Sequence, residues 1–126
     1  MKIVYLIARI LLGLVFVVFG LNGFLRFIPQ GPLPTGLAGQ FIGALMESHY
    51  ILFVCGFEVI GGALLLANRY LPLGLTILGP IVVNILLFHI LLVPLGLPIA
   101  IFTALLWFVV AYQVRTAFTG ILQARA

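Results

Sequence analysis

Apolar residues run along this chain in four long blocks separated by short breaks. The blocks cover about residues 3–27, 50–67, 71–93 and 97–118. A helix rises ~1.5 Å per residue, so ~20 residues cross the hydrocarbon layer of a bilayer. Each block approaches or exceeds that length, so each predicts a membrane-spanning helix. The only sizeable break opens with Pro29-Gln30-Gly31-Pro32-Leu33-Pro34, whose prolines stop the first helix and extend the chain. Thr35 then reads as the N-cap of a short segment, Gly36 to Ser48, in which Leu37, Phe41, Ala44 and Leu45 recur at helical spacing. That segment is too short to span. It is expected to lie at the membrane surface or to cap the bundle.

The remaining breaks, Asn68-Arg69-Tyr70 and Pro94-Leu95-Gly96-Leu97-Pro98, are tight. Short connections force antiparallel neighbours. The predicted fold is therefore an all-α membrane protein, an antiparallel four-transmembrane-helix bundle with a short amphipathic segment between helices 1 and 2. Residues 1–126 are expected to form one domain. The start Met1-Lys2 followed by an apolar run resembles a signal peptide, but the run continues to Phe27 without an Ala-x-Ala-like cleavage site. The expectation is a retained first span.

Composition agrees with this pattern. Hydrophobic residues make up 65% of the chain and charged residues 6%, against about a quarter charged in soluble domains. The net charge of +4 is scattered, and without a basic run it predicts no nucleic-acid partner. It reads instead as topology. Lys2, Arg69, Arg115 and Arg125 share one side, with Arg9 just within the membrane there and only Arg26 on the other. The positive-inside rule places both termini in the cytoplasm. Tyr5, Tyr70 and Tyr112 would form an interfacial belt at that face, with Tyr50 opposite. The single cysteine, Cys55, can form neither an internal disulfide nor a dithiol pair, and is expected to be a small core residue.

Candidate chemistry rests on polar residues inside the spans. Glu58 lies within an apolar helix, where an acidic residue costs about 2.5–3.5 kcal/mol on insertion scales and so has a partner or a task. Counting helical rise, Glu58 and Asn84 share a level ~12 Å below the outer boundary. Asn22 sits somewhat higher, and Arg26 and His89 lie near the outer end. These five side chains are expected to converge in the outer half of the bundle. Asn22 and Arg26 share a face with Phe19, whereas Glu58 shares one with Cys55, Gly61 and Gly62, which would admit a close helix neighbour. Pro80 is expected to kink the third span below Asn84.

The residues leave alternatives open. Glu58 with Arg26 reads equally as a functional carboxylate or as an ion pair fixing helix register. Asn22 and Asn84 read also as interhelical hydrogen-bond glue, and His89 as an interfacial side chain. Arg9, at the cytoplasmic side, has three candidate partners: a lipid phosphate, helix-end carbonyls or a ligand. Trp107 reads as packing. There is no metal-binding Cys/His cluster, no haem-type histidine pair, no Gly-rich phosphate loop and no aqueous catalytic set. No metal site and no intrinsic cofactor are predicted.

The segments Arg9-Ile10-Leu11-Leu12-Gly13, Phe19-Gly20-Leu21-Asn22-Gly23-Phe24, Glu58-Val59-Ile60-Gly61-Gly62 and Asn84-Ile85-Leu86-Leu87-Phe88-His89 together resemble the DoxX family of small bacterial membrane proteins. The resemblance runs through all four spans and implies a four-helix protein of the bacterial inner (cytoplasmic) membrane. It implies an association with quinone-linked oxidoreductase systems, oxidative stress and thiol-redox complexes. It also implies Arg9, Asn22, Glu58, Asn84 and His89 as the polar signature.

The leading expectation is a redox-linked accessory subunit binding a quinone or another lipophilic small molecule in an outer-leaflet polar cavity. There Glu58 and His89 would contact the head group, and Arg26 and Asn22 would set the local charge. The alternatives are a non-catalytic membrane scaffold or assembly factor and a small proton-coupled transporter. No self-contained catalytic motif is present, so enzymatic chemistry would belong to a larger oxidoreductase complex. The expected partners are membrane lipids, a second copy of the chain or that complex.

Overall fold

Each long apolar block folds as a helix, and each helix stops where backbone chemistry stops it. The computed structural model describes residues 1–29 and 31–125, so Gln30 of the proline-rich break lies outside the described residues. Five α-helices follow in order: α1 (Lys2–Leu25), α2 (Gly36–Glu47), α3 (Tyr50–Ala67), α4 (Leu71–Leu91) and α5 (Leu97–Gln113). There is no strand among the described residues. α1, α3, α4, and α5 with the 3-10 turn Pro94–Gly96 before it, are each long and apolar enough to cross a membrane. The chain is a membrane-type all-α bundle.

Three helices end earlier than the apolar pattern predicts. α1 stops at Leu25 because Arg26 turns left-handed (φ 50°, ψ 47°) and donates its backbone N–H to the Asn22 carbonyl. α4 stops before Val93, since the residue preceding Pro94 is driven out of helical backbone and takes φ −137°, ψ 78°. α5 gives way to a 3-10 turn, Arg115–Phe118. There Arg115 donates to the Tyr112 carbonyl at 2.8 Å and lies 4.2 Å over the Tyr112 ring, a cation placed at the negative end of a helix. Thr35 holds the extended backbone of an N-cap, as its sequence position suggests, but its hydroxyl makes no capping bond. Gly36 follows with φ 73°, a conformation for which glycine alone carries no steric cost.

The four long helices close a ring in the order α1, α3, α4, α5 and back to α1. The α1/α3 seam is the most extensive, and missing side chains explain it. A Cβ at Gly13 would meet Leu66 and the Gly62 carbonyl, one at Gly20 would meet Val59 and the Cys55 carbonyl, and one at Gly62 would meet the Gly13 carbonyl and Val17. A step of seven residues forward along α1 is thus matched by a step of seven back along α3. This is an antiparallel register with a ~10.5 Å repeat. In a lipid environment close backbone approach, rather than the hydrophobic effect, holds such a seam.

The core is asymmetric along the bundle axis. The largest fully buried side chains are Leu12, Phe16, Leu65, Leu75, Leu78 and Val110, which lie at mid-bundle or toward the end that carries both chain termini. Outward-facing apolar side chains such as Phe53 at 74% and Ile99 at 74% exposure have no protein to cover them, consistent with a surface facing lipid rather than water. The opposite end is not filled by a core. There α2 packs against α3 and touches α4 through Phe41, whose ring lies 5.9 Å from that of Phe88.

Candidate functional site

The unfilled end of the bundle encloses a partly open cavity of about 660 Å³, a volume within the range typical of small-molecule sites. Phe19, Asn22 and Gly23 of α1, Ile42, Leu45 and Met46 of α2, and Ile51, Leu52, Cys55 and Glu58 of α3 form its walls, with Arg26, Ile28, Pro29, Gly31 and Leu33 closing one side. Most of this lining is apolar. The polar side chains that reach it are Asn22, Arg26, His49 and Glu58.

Their levels follow from the helices that carry them. Arg26 caps the end of α1 and His49 the start of α3, both in left-handed backbone, so both stand at the mouth. Glu58 lies eight residues into α3, ~12 Å below the mouth, at the floor. It is half-buried. Among the described residues Glu58 forms neither a hydrogen bond nor an ion pair, and no buried side-chain oxygen or nitrogen is sealed away without a partner. The carboxylate is therefore open to the cavity. The geometry does not pair Glu58 with Arg26, although one cavity holds both.

Asn22 is 5% exposed and serves the fold as well as the cavity. Its Oδ1 accepts the Ile28 N–H at 2.8 Å, while its backbone carbonyl accepts the Arg26 N–H at 2.9 Å. The side chain thus ties down the connection that leaves α1. Gly23, its neighbour, packs directly on Cys55 across the seam.

Asn84 and His89 do not join this cluster. Asn84 follows the buried Val82 by two residues, about 200° around the helix, and is exposed on the outer face of α4. Its Nδ2 donates to the Pro80 carbonyl of its own helix at 2.8 Å, so α4 itself satisfies this amide, and α4 continues unbroken through Pro80. His89 folds onto the α4–α5 connection. Its Nδ1 lies 3.1 Å from the Val93 carbonyl, which makes Nδ1 the protonated nitrogen because a carbonyl only accepts. The ring occupies the space where a side chain at Gly96 would stand. Both residues share the depth of the site, but not its position around the bundle.

Arg9 finds the second of its three candidate partners. Its Nη1 donates to the Leu65 carbonyl at 2.6 Å and to the Leu66 carbonyl at 3.3 Å, so a cation from α1 sits on carbonyls at the negative end of α3, the first of which also accepts the Asn68 N–H. This lies at the opposite end of the bundle from the cavity. Trp107 acts similarly. Its Nε1 donates to the Leu75 carbonyl at 3.0 Å, and its ring packs over Gly79, joining α5 to α4.

His49 and Cys55 line the cavity but were not read from the sequence as site residues. His49 falls in the two-residue break between α2 and α3 and lines the same cavity as Arg26 at the end of α1. Cys55 is buried, as a small core residue should be, but it also lines the cavity. Its spacing of three from Glu58 put both on one face. Among the described residues no three His, Cys, Asp or Glu side chains come together to hold a metal ion.

No protein-family model, no curated protein and no solved structure matches this chain.

Proposed function

We propose that this protein binds a lipophilic small molecule with a polar head group, of the quinone class, in the cavity between α1, α2 and α3. We further propose that it does so as an accessory subunit of a redox-linked membrane complex. The observation that carries the binding reading is a carboxylate without a partner among the described residues, at the floor of a mostly apolar, partly open cavity of ligand size. A carboxylate at that depth is expensive to keep without a partner, and a ligand's polar head would supply one. The apolar side chains of α2 and α3 would cover the ring and the first part of a tail.

The redox association rests on the DoxX-like order of Arg9, Asn22, Glu58, Asn84 and His89 along the spans. The distribution of charge supports an orientation. Lys2, Arg69, Arg115 and Arg125 stand at the end that carries the chain termini, which the positive-inside rule turns toward the cytoplasm. In a bacterial inner membrane the cavity then opens in the outer leaflet.

Native mass spectrometry of gently purified protein tests the binding reading. The expected result is an adduct with the mass of a quinone or quinol, lost in Leu45→Trp, where an indole fills the cavity from α2 without entering the bundle core. Absence of any adduct, together with no binding of added quinone in either oxidation state, would sink the proposal.

A further inference from the structure

A second hollow, wholly apolar, lies along the outside of the α1/α3 pair. Its volume is about 400 Å³, and Phe24 of α1 lines it together with Leu52, Phe53, Gly56, Phe57 and Ile60 of α3. The missing side chain of Gly56 opens it, since a Cβ there would meet nothing nearer than the Phe24 ring at 4.0 Å. It runs eight residues along α3 from Leu52 to Ile60, ~12 Å, so its long axis follows the helix, as lipid chains do beside a spanning helix. Phe24, Phe53, Phe57 and Ile60 are all exposed in it.

What covers this groove follows from the charge at its Leu52 end. Leu52 lines both the groove and the cavity, so the groove starts at the rim of the cavity mouth, where Arg26 stands. Arg26 follows Phe24 by two residues, which holds their Cα atoms within ~7 Å. Two bonds pin that turn, from the Arg26 N–H to the Asn22 carbonyl and from the Ile28 N–H to Asn22 Oδ1. The guanidinium keeps its charge at any working pH, and it donates no hydrogen bond among the described residues. α3 begins at Tyr50, so the positive end of its dipole lies at the same level. His49 shares the mouth. Of the two acids, Glu58 stands six residues deeper than Leu52, ~9 Å, and Glu47 lines neither hollow.

A phosphate on Arg26 with an acyl chain in the groove matches both halves of this surface. A zwitterionic head would bring its ammonium against Arg26 and the helix end, whereas an anionic head carries no second cation. We propose that Arg26 and the Phe24–Ile60 groove together bind one anionic phospholipid, at a site beside the small-molecule cavity and separate from it.

The full chain in nanodiscs of equal phosphatidylglycerol and phosphatidylethanolamine with matched acyl chains, released into detergent for native mass spectrometry, tests this. Wild type is expected to keep one phospholipid per chain, phosphatidylglycerol about fivefold over phosphatidylethanolamine, the worth of one cation facing an anionic lipid. Arg26→Gln should bring that ratio to within about twofold of one, while Arg69→Gln, at the opposite end of the bundle, should leave it unchanged. Gly56→Leu fills the groove from a position with open space and should lose both lipids. Leu45→Trp fills the cavity instead and should keep the lipid. Equal retention of the two lipids by wild type, an undiminished preference in Arg26→Gln, or a lipid count unaltered by Gly56→Leu would overturn the site. Loss of the lipid in Leu45→Trp would move it into the cavity and overturn the site as well.

Discussion

An alanine at Gly62 would place its methyl carbon 2.8 Å from the Gly13 carbonyl oxygen and 2.9 Å from the Val17 nitrogen. Ordinary contact for such a carbon begins near 3.4 Å, so the seam is short by about 0.6 Å of van der Waals distance. Two of the three obstructing atoms are α1 backbone, the third being a Val17 methyl at 2.9 Å, so moving that side chain is not enough and the helix itself must move. Overpacking of this kind costs about 1–3 kcal/mol. The same substitution gains ~0.8–1.0 kcal/mol of helix propensity. The net expectation for Gly62→Ala is a loss of up to ~2 kcal/mol.

Gly56, on the same helix, supplies the control. A Cβ there meets nothing nearer than the Phe24 ring at 4.0 Å, so Gly56→Ala keeps the propensity gain of ~0.8–1.0 kcal/mol without the clash. The two alanines should therefore differ by about 1–3 kcal/mol. Trp107 is the only tryptophan and bridges α5 to α4, so its fluorescence reports separation of the bundle. Equilibrium unfolding by increasing SDS in mixed micelles reads the difference directly. If Gly62→Ala proves as stable as Gly56→Ala, the α1/α3 seam is not held by backbone approach and the packing argument fails.

Arg9→Met removes the cation from the Leu65 and Leu66 carbonyls and should cost about 1.5–3 kcal/mol in the same unfolding titration. Arg9→Lys should recover part of that loss, and an unchanged midpoint in Arg9→Met would refute the capping role. Asn84→Leu replaces an exposed side chain satisfied within its own helix, and should leave the ligand adduct in native mass spectrometry unaltered. Loss of the adduct would place Asn84 in the site after all.

The polar residues show how far position along a helix can be trusted without position around it. Helical rise alone puts Glu58 well below the mouth of the site, because depth depends only on counting residues from a boundary. Depth alone also grouped Asn84 and His89 with Glu58, and there the inference failed. Each found a nearer partner in its own chain segment: the Pro80 carbonyl for Asn84 and the Val93 carbonyl for His89. In an apolar span a side-chain amide or imidazole takes the closest free carbonyl, and local bonds of this type compete with assembly across helices. The azimuth that separates Asn84 from the cavity was partly available in the sequence. Once Leu75, Leu78 and Val82 are known to form the buried stripe of α4, the spacing of two from Val82 turns Asn84 outward. That stripe could not be recognised beforehand, because nearly every residue of the helix is apolar and no polar face marks the outside.

Sequence by itself determined the number of spans, their antiparallel order and the place of α2 between the first two, since apolar length and short connections admit few other solutions. It also singled out Glu58, because an ionisable group in hydrocarbon stands apart whatever surrounds it. Tertiary structure alone decided what Glu58 faces. The glycine seam draws α1 and α3 together in one register, α2 roofs the end away from the chain termini, and the resulting space brings Asn22 and Arg26 at the end of α1 together with His49 at the start of α3. A cavity is what the packing of several helices leaves unfilled, so it has no local signature in any one of them.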